Sequence, residues 1–236
     1  MEPKFYENSD NNHCLQCCVR MAHDTKTSTV IDSQTVDMET SYEHNLWTWT
    51  IAGAKFLAEK TGGAQLINEG FDYQEFSEKG TEYLRQFWDN NRFESQKAHA
   101  SANFEKERDL ARKFLNAGGE VRKETLSESR VAELAKNNFI IAQVNHGTLY
   151  GTPDFYSHYV LIYDQTADSF EFHDPGLPPK KATIVSKHKF MTAFSNELIA
   201  VSKPDWWFDE PQAGEDFLTT VLQWIIKLVS KNKPPA

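Results

Sequence analysis

The chain has only three cysteines in 236 residues, Cys14, Cys17 and Cys18. Crowded at one end, they cannot staple distant parts of a fold, and their odd number leaves at least one unpaired, which points to a reducing compartment. A basic cluster is also missing. Lys and Arg number 25 against 34 Asp and Glu, for a net charge of −9, and no stretch is basic enough to neutralise a run of phosphates, so nucleic acid is not expected as a partner. No apolar run approaches the roughly 20 residues that span a bilayer, and the start, Met1-Glu-Pro-Lys-Phe-Tyr6, has no basic segment leading into an apolar one. The expectation is a cytoplasmic protein with no integral membrane segment. Internal repeats and low-complexity tracts are absent too, and the length suits one compact domain with an appendage.

What is present falls into two halves. From Cys14 to Ala22 the apolar residues Leu15, Cys18, Val19 and Ala22 recur at three- and four-residue steps, one face of a buried helix, with the polar run Asn8 to Asn12 as its approach loop. Further helices are predicted from about Leu46 to Lys60, stopping at Gly62-Gly63, from Glu78 to Asn90, and from Phe104 to Asn116. Thr125-Leu-Ser-Glu128 has the capping-box pattern and opens a helix to about Lys136. Thereafter Phe139 to Val144, Ser157 to Tyr163, Ser169 to His173 and Ala182 to Val185 read as strands. The expected fold is α+β over residues 1–203. Residues 204–236 form an aromatic segment, Trp206-Trp207-Phe208, and an amphipathic helix from about Glu215 to Ser230 that offers a surface to a protein partner.

A thiol is a useful nucleophile only as thiolate, and the positive end of a helix favours that form. Cys14 opens a helix. The runs Ser157 to Tyr163 and Ser169 to Asp174, joined by Asp164-Gln-Thr-Ala-Asp168, should form an antiparallel hairpin. A turn centred on Thr166 puts His158 opposite Asp174, Val160 opposite Phe172 and Ile162 opposite Phe170, all on one face. An imidazole facing a carboxylate has one ring nitrogen fixed and the other available to take a proton from a thiol. Cys14, His158 and Asp174 are therefore the candidate nucleophile, base and orienting group.

These residues resemble a family. Cys14-Leu-Gln-Cys-Cys-Val-Arg-Met21, the strand His158-Tyr-Val-Leu-Ile162, the Asp-Pro step His173-Asp-Pro-Gly176 and the preceding strand Ile140-Ile-Ala-Gln-Val-Asn145 are similar to the motifs of papain-like cysteine peptidases of the bacteriocin-processing, double-glycine group. The resemblance spans roughly Phe5 to Ala200. It implies a papain-like fold, with a helical half carrying Cys14 packed on an antiparallel sheet carrying His158 and Asp174. The implied activity is cysteine hydrolase chemistry on a peptide or other amide through a thioester, with no cofactor. Two departures stand out. Leu15 follows the nucleophile where many members have Gly, and Asn8 stands where many place an oxyanion-stabilising Gln; its shorter amide can donate the same bond.

Other readings of the same residues exist. Cys14-Leu-Gln-Cys17 is a C-x-x-C, but no hydrophobic strand precedes it as a redox helix requires, and no second ligand pair accompanies it as zinc requires. A catalytically silent papain-like domain that binds a peptide, or an acyltransferase using the same triad, would share these motifs. Trp47, Trp49 and Trp88 read as core or cleft-wall aromatics, and His13, His44 and His173 as surface or structural residues.

Overall fold

A computed structural model describes residues 1–10, 12–100, 104–153, 156–176 and 178–208. The chain divides into two units, Glu2–Lys203 and one formed by Met1 with Pro204–Ala236. In the latter, Asp205–Phe208 forms a short 3-10 turn in which the Trp206 and Trp207 rings stand 6.0 Å apart. The helix predicted over 215–230 lies outside the described residues.

In the larger unit the helices are α1 (Cys14–Thr27), α2 (Ser33–Glu39), α3 (Thr50–Thr61), α4 (Tyr73–Lys79), α5 (Thr81–Phe87), α6 (Asn90–His99), α7 (Phe104–Asn116), α8 (Glu128–Asn137), α9 (His146–Tyr150) and α10 (Lys187–Ala193). The strands are β1 (Gln65–Asn68), β2 (Glu120–Lys123), β3 (Asn138–Asn145), β4 (Ser157–Gln165), β5 (Ser169–Asp174), β6 (Lys180–Ser186) and β7 (Phe194–Ser202). They form one sheet in the order β2-β1-β7-β3-β4-β5-β6. The fold is α+β. Its sheet is not wholly antiparallel: β1 and β2 run parallel at one edge, while the other neighbours are antiparallel. Both strands of this parallel pair come from the half expected to be helical, and four residues are too few to show a period in sequence.

Alternation along the strands sorts the core into two layers. Ile140, Ala142, Val144, Val160, Ile162, Phe172, Leu198 and Ala200 pack with Val131 and Leu134 of α8, Leu149 of α9 and Phe190 of α10. On the other face Ile199 meets α1 and α3. The sheet is thus covered on both faces, whereas the sequence pattern had placed a helical half against a single sheet half. A second, aromatic cluster joins the start of α3 to α4, the end of α5 and α7, where Trp49 stands 5.5 Å from Trp88, 5.7 Å from Phe76 and 5.9 Å from Phe104. Trp49 and Trp88 are therefore packing residues. Trp47 is exposed and stacks on His99 at 5.3 Å.

Several predicted bounds move for local reasons. The helix expected from Glu78 to Asn90 is three: Gly80, at φ 56°, breaks α4 from α5, and Asp89 caps α6 by accepting from the Arg92 amide. The α8 cap is Ser127, not Thr125, its hydroxyl accepting from the Arg130 amide. α1 runs five residues past Ala22 to Thr27 and ends on Ser28 in the left-handed region.

Gly53 lets α1 and α3 approach. A Cβ there would lie 2.9 Å from Val19 Cγ2, 3.1 Å from Leu15 Cδ1 and 3.2 Å from Ile199 Cδ1. Gly53→Val is expected to destabilise the protein by about 3 kcal/mol, because overpacking outweighs the few tenths that helix propensity returns. Urea unfolding measures this, and a neutral variant would show that the helices do not meet so closely.

Candidate active site

The hairpin differs from its predicted register. Ile162 pairs with Phe172 and Leu161 with His173, and a bulge between Ile162 and Asp164 then shifts Asp164 onto Glu171. Relative to the direct His158–Asp174 pairing, β5 has slipped by two residues up to the bulge, an even number, so His158, Val160, Ile162, Phe172 and Asp174 keep their face, and by three beyond it. The two residues meet diagonally. His158 Nε2 and Asp174 Oδ1 are 2.6 Å apart, both side chains almost fully buried. That leaves the second ring nitrogen, Nδ1, uninvolved with Asp174, and Cys14 is close enough to favour the protonated ring.

Asp174 is held on both oxygens. Oδ1 also accepts from the Gly176 amide at 2.8 Å, and Oδ2 accepts from the Tyr150 hydroxyl at 2.5 Å. Burial works against the carboxylate, but the hydrogen bond and charge of His158, with the two other donors, outweigh it and hold the group below its usual range. For His158 burial likewise favours the neutral form. The bonds to Asp174 and Cys14, with their charges, overcome it and push the imidazole up to about 10.

Cys14 is the first residue of α1 and half-buried. Burial pushes the Cys17 thiol up to about 12 and the Cys18 thiol well above its ordinary value, and Cys18 Sγ donates to the Tyr159 carbonyl on β4. The approach loop is fastened by Asn8, which is 1% exposed. Its amide nitrogen donates to the Pro175 carbonyl at 2.8 Å, tying the loop to the Asp174-Pro175-Gly176 segment. Its Oδ1 accepts from the amides of His13 at 3.2 Å and Asp10 at 3.4 Å. Those two donors fix the orientation of the side-chain amide. Nδ2 is left buried, with no hydrogen-bond partner among the described residues.

Comparison with known proteins adds a likeness in structure. No protein-family model and no curated protein matches the chain. Among solved structures it is similar to the peptidase domain of Streptococcus ComA, a bi-functional ABC transporter involved in a quorum-sensing pathway, at TM-score 0.45 and 10% identity, covering 85% of this chain and 98% of that one.

The arrangement contains residues that sequence reasoning missed. Tyr150 closes α9, a one-turn helix too short for periodicity to reveal. Gly176 lies against the base: an added Cβ would sit 2.8 Å from His158 Cε1 and Nε2 and 2.9 Å from Asp174 Oδ1. The Asp-Pro-Gly step was its only sequence signal. His146 stacks on Tyr156 at 4.6 Å and meets the His158 ring edge-on at 5.4 Å.

The remaining histidines are structural or exposed. His173 is fully buried; its Nε2 donates to the Pro3 carbonyl, its Nδ1 accepts from the Ala182 amide, and burial lowers it, so it stays neutral. His13 bridges Asp10 at 2.8 Å and Asp37 at 3.3 Å and stacks on Tyr42, whereas His44 is exposed. No helix among the described residues is long and apolar enough to cross a membrane.

Proposed function

We propose that this protein is a papain-like cysteine hydrolase acting on a peptide or other amide through Cys14, His158 and Asp174. The observation that carries the reading is His158 Nε2 held 2.6 Å from a buried carboxylate, on a strand packed against the helix that Cys14 opens. His158 takes the Cys14 thiol proton, Sγ attacks the substrate carbonyl and a tetrahedral oxyanion forms. Asn8 Nδ2, a buried donor without a partner among the described residues, and the Cys14 backbone amide at the start of α1 supply the donors that such an oxyanion needs. His158 delivers its proton to the leaving amine, which departs and leaves a thioester. His158 then takes a proton from water, whose oxygen attacks the thioester, and the acid is released with the thiol restored. Asp174 orients the ring throughout. Nothing in this chemistry calls on a cofactor.

Alkylation of the native protein with iodoacetamide across pH, resolved by mass spectrometry, tests the pair. Cys14 is expected to react more than about tenfold faster than Cys17 or Cys18 near neutral pH, and to lose that advantage in His158→Ala. Equal reactivity of the three thiols would make a silent peptide-binding domain the better account.

A further inference from the structure

We propose that Tyr150 is a positioning residue for the base, locking the Asp174 carboxylate in the plane that aims His158 at Cys14; this deepens the triad reading above and rests on it. A carboxylate held at one oxygen can turn about its Cβ–Cγ bond, because that torsion is broad. Here His158 Nε2 and the Gly176 amide take Oδ1, and the Tyr150 hydroxyl takes Oδ2 from the opposite side at 2.5 Å. Rotation of the carboxylate would break both sets of bonds.

Tyr150 is itself fixed. The turn that carries it is capped by Asn145, whose Oδ1 accepts from the Thr148 amide at 2.8 Å, and it ends at Gly151 in the left-handed region, at φ 74°. The Lys180 ammonium lies 3.0 Å from the ring centroid, a cation against the ring face delivered by β6. The charged and titratable groups around the carboxylate are His158 on β4, Cys14 and Cys18 on α1, His146 on α9, the nearby Tyr156, and Lys180 on β6. His158 and Tyr150 each contribute a side-chain hydrogen bond to it. Burial and the charge of Asp174 push the Tyr150 hydroxyl above its ordinary value, so it remains a donor across the working range.

The test measures the iodoacetamide rate of Cys14 in the full chain from about pH 4 to 9, in wild type and Tyr150→Phe, with circular dichroism as the check of folding. The variant is expected to react about tenfold more slowly, with its acid limb moved up by about one pH unit, because Asp174 loses a donor that favours its charged form. A tyrosine that only packs would leave the limb in place, and a folded Tyr150→Phe with the wild-type limb overturns the proposal. If the variant does not fold, 3-fluorotyrosine introduced at position 150 keeps the shape and strengthens the donor. The limb should then move to lower pH, and an unmoved limb overturns the proposal equally. Failure of the triad reading looks different, since wild-type Cys14 would then show no His158-dependent reactivity at all.

Discussion

Asp174→Asn is expected to slow the His158-dependent alkylation of Cys14 by about a hundredfold or more at neutral pH, with the fold retained. The reason is a count of donors and acceptors. Three hydrogen-bond donors converge on this side chain: His158 Nε2, the Gly176 amide and the Tyr150 hydroxyl. A carboxylate offers two acceptor oxygens, whereas an amide offers one and turns a donor toward whichever partner loses. The imidazole then either loses its orienting acceptor or takes the wrong tautomer, and Nδ1 is no longer presented as the base. Charge acts in the same direction, since Asp174 favours the imidazolium that forms when the thiol gives up its proton.

The same substitution should appear in stability. His158 is raised in the folded protein from 6.5 to about 10, so its contribution is fully present below pH 6.5 and is lost as pH rises through about 10. Wild type is therefore expected to lose stability across that window, and Asp174→Asn to show a shallower slope. Thermal melts at closely spaced pH values measure both slopes. Identical slopes, or an alkylation rate unchanged by the substitution, would remove Asp174 from the site.

Gly176→Ala is the second large effect, expected to reduce the same rate about a hundredfold while leaving the melting temperature within a few degrees. Atoms rarely approach a Cβ closer than 3.0 Å, yet this one would stand 2.8 Å from two atoms of the His158 ring and 2.9 Å from Asp174 Oδ1. The ring cannot yield without breaking its bond to Asp174, and a displacement of about 1 Å in a catalytic group can cost a hundredfold. Gly70→Ala is the control, because a Cβ there meets nothing closer than Phe87 at 3.8 Å. A Gly176→Ala protein that alkylates at the wild-type rate would mean that the His158 ring does not occupy this position.

The sequence carried more of the site than of the sheet. Cys14 could be placed at a helix start because Leu15, Cys18, Val19 and Ala22 repeat at helical spacing, and α1 does begin there. His158 and Asp174 could be placed on one face because strand alternation has a period of two, and that inference tolerates the observed slip of two residues, which changes partners but not faces. A slip of one would have undone it. The bulge after Ile162 has no signature in Asp164-Gln-Thr-Ala-Asp168, since the hairpin turn alone cannot report where β5 is drawn by β6 on its other side.

What the sequence by itself determined, then, is the local part: where the Cys14 helix opens, which strand residues face together, and that acidic, cysteine-poor composition argues against nucleic acid and disulfide scaffolds. The tertiary structure decided the rest. It joined β1 to β2 in parallel, packed helices on both sheet faces, set Gly176 against the His158 ring, and brought Tyr150 and the Asn8 loop onto the Asp174 segment. Periodicity is written by neighbours three or four residues apart, or two along a strand, whereas these contacts join residues that meet only after the sheet has closed, so no local pattern records them.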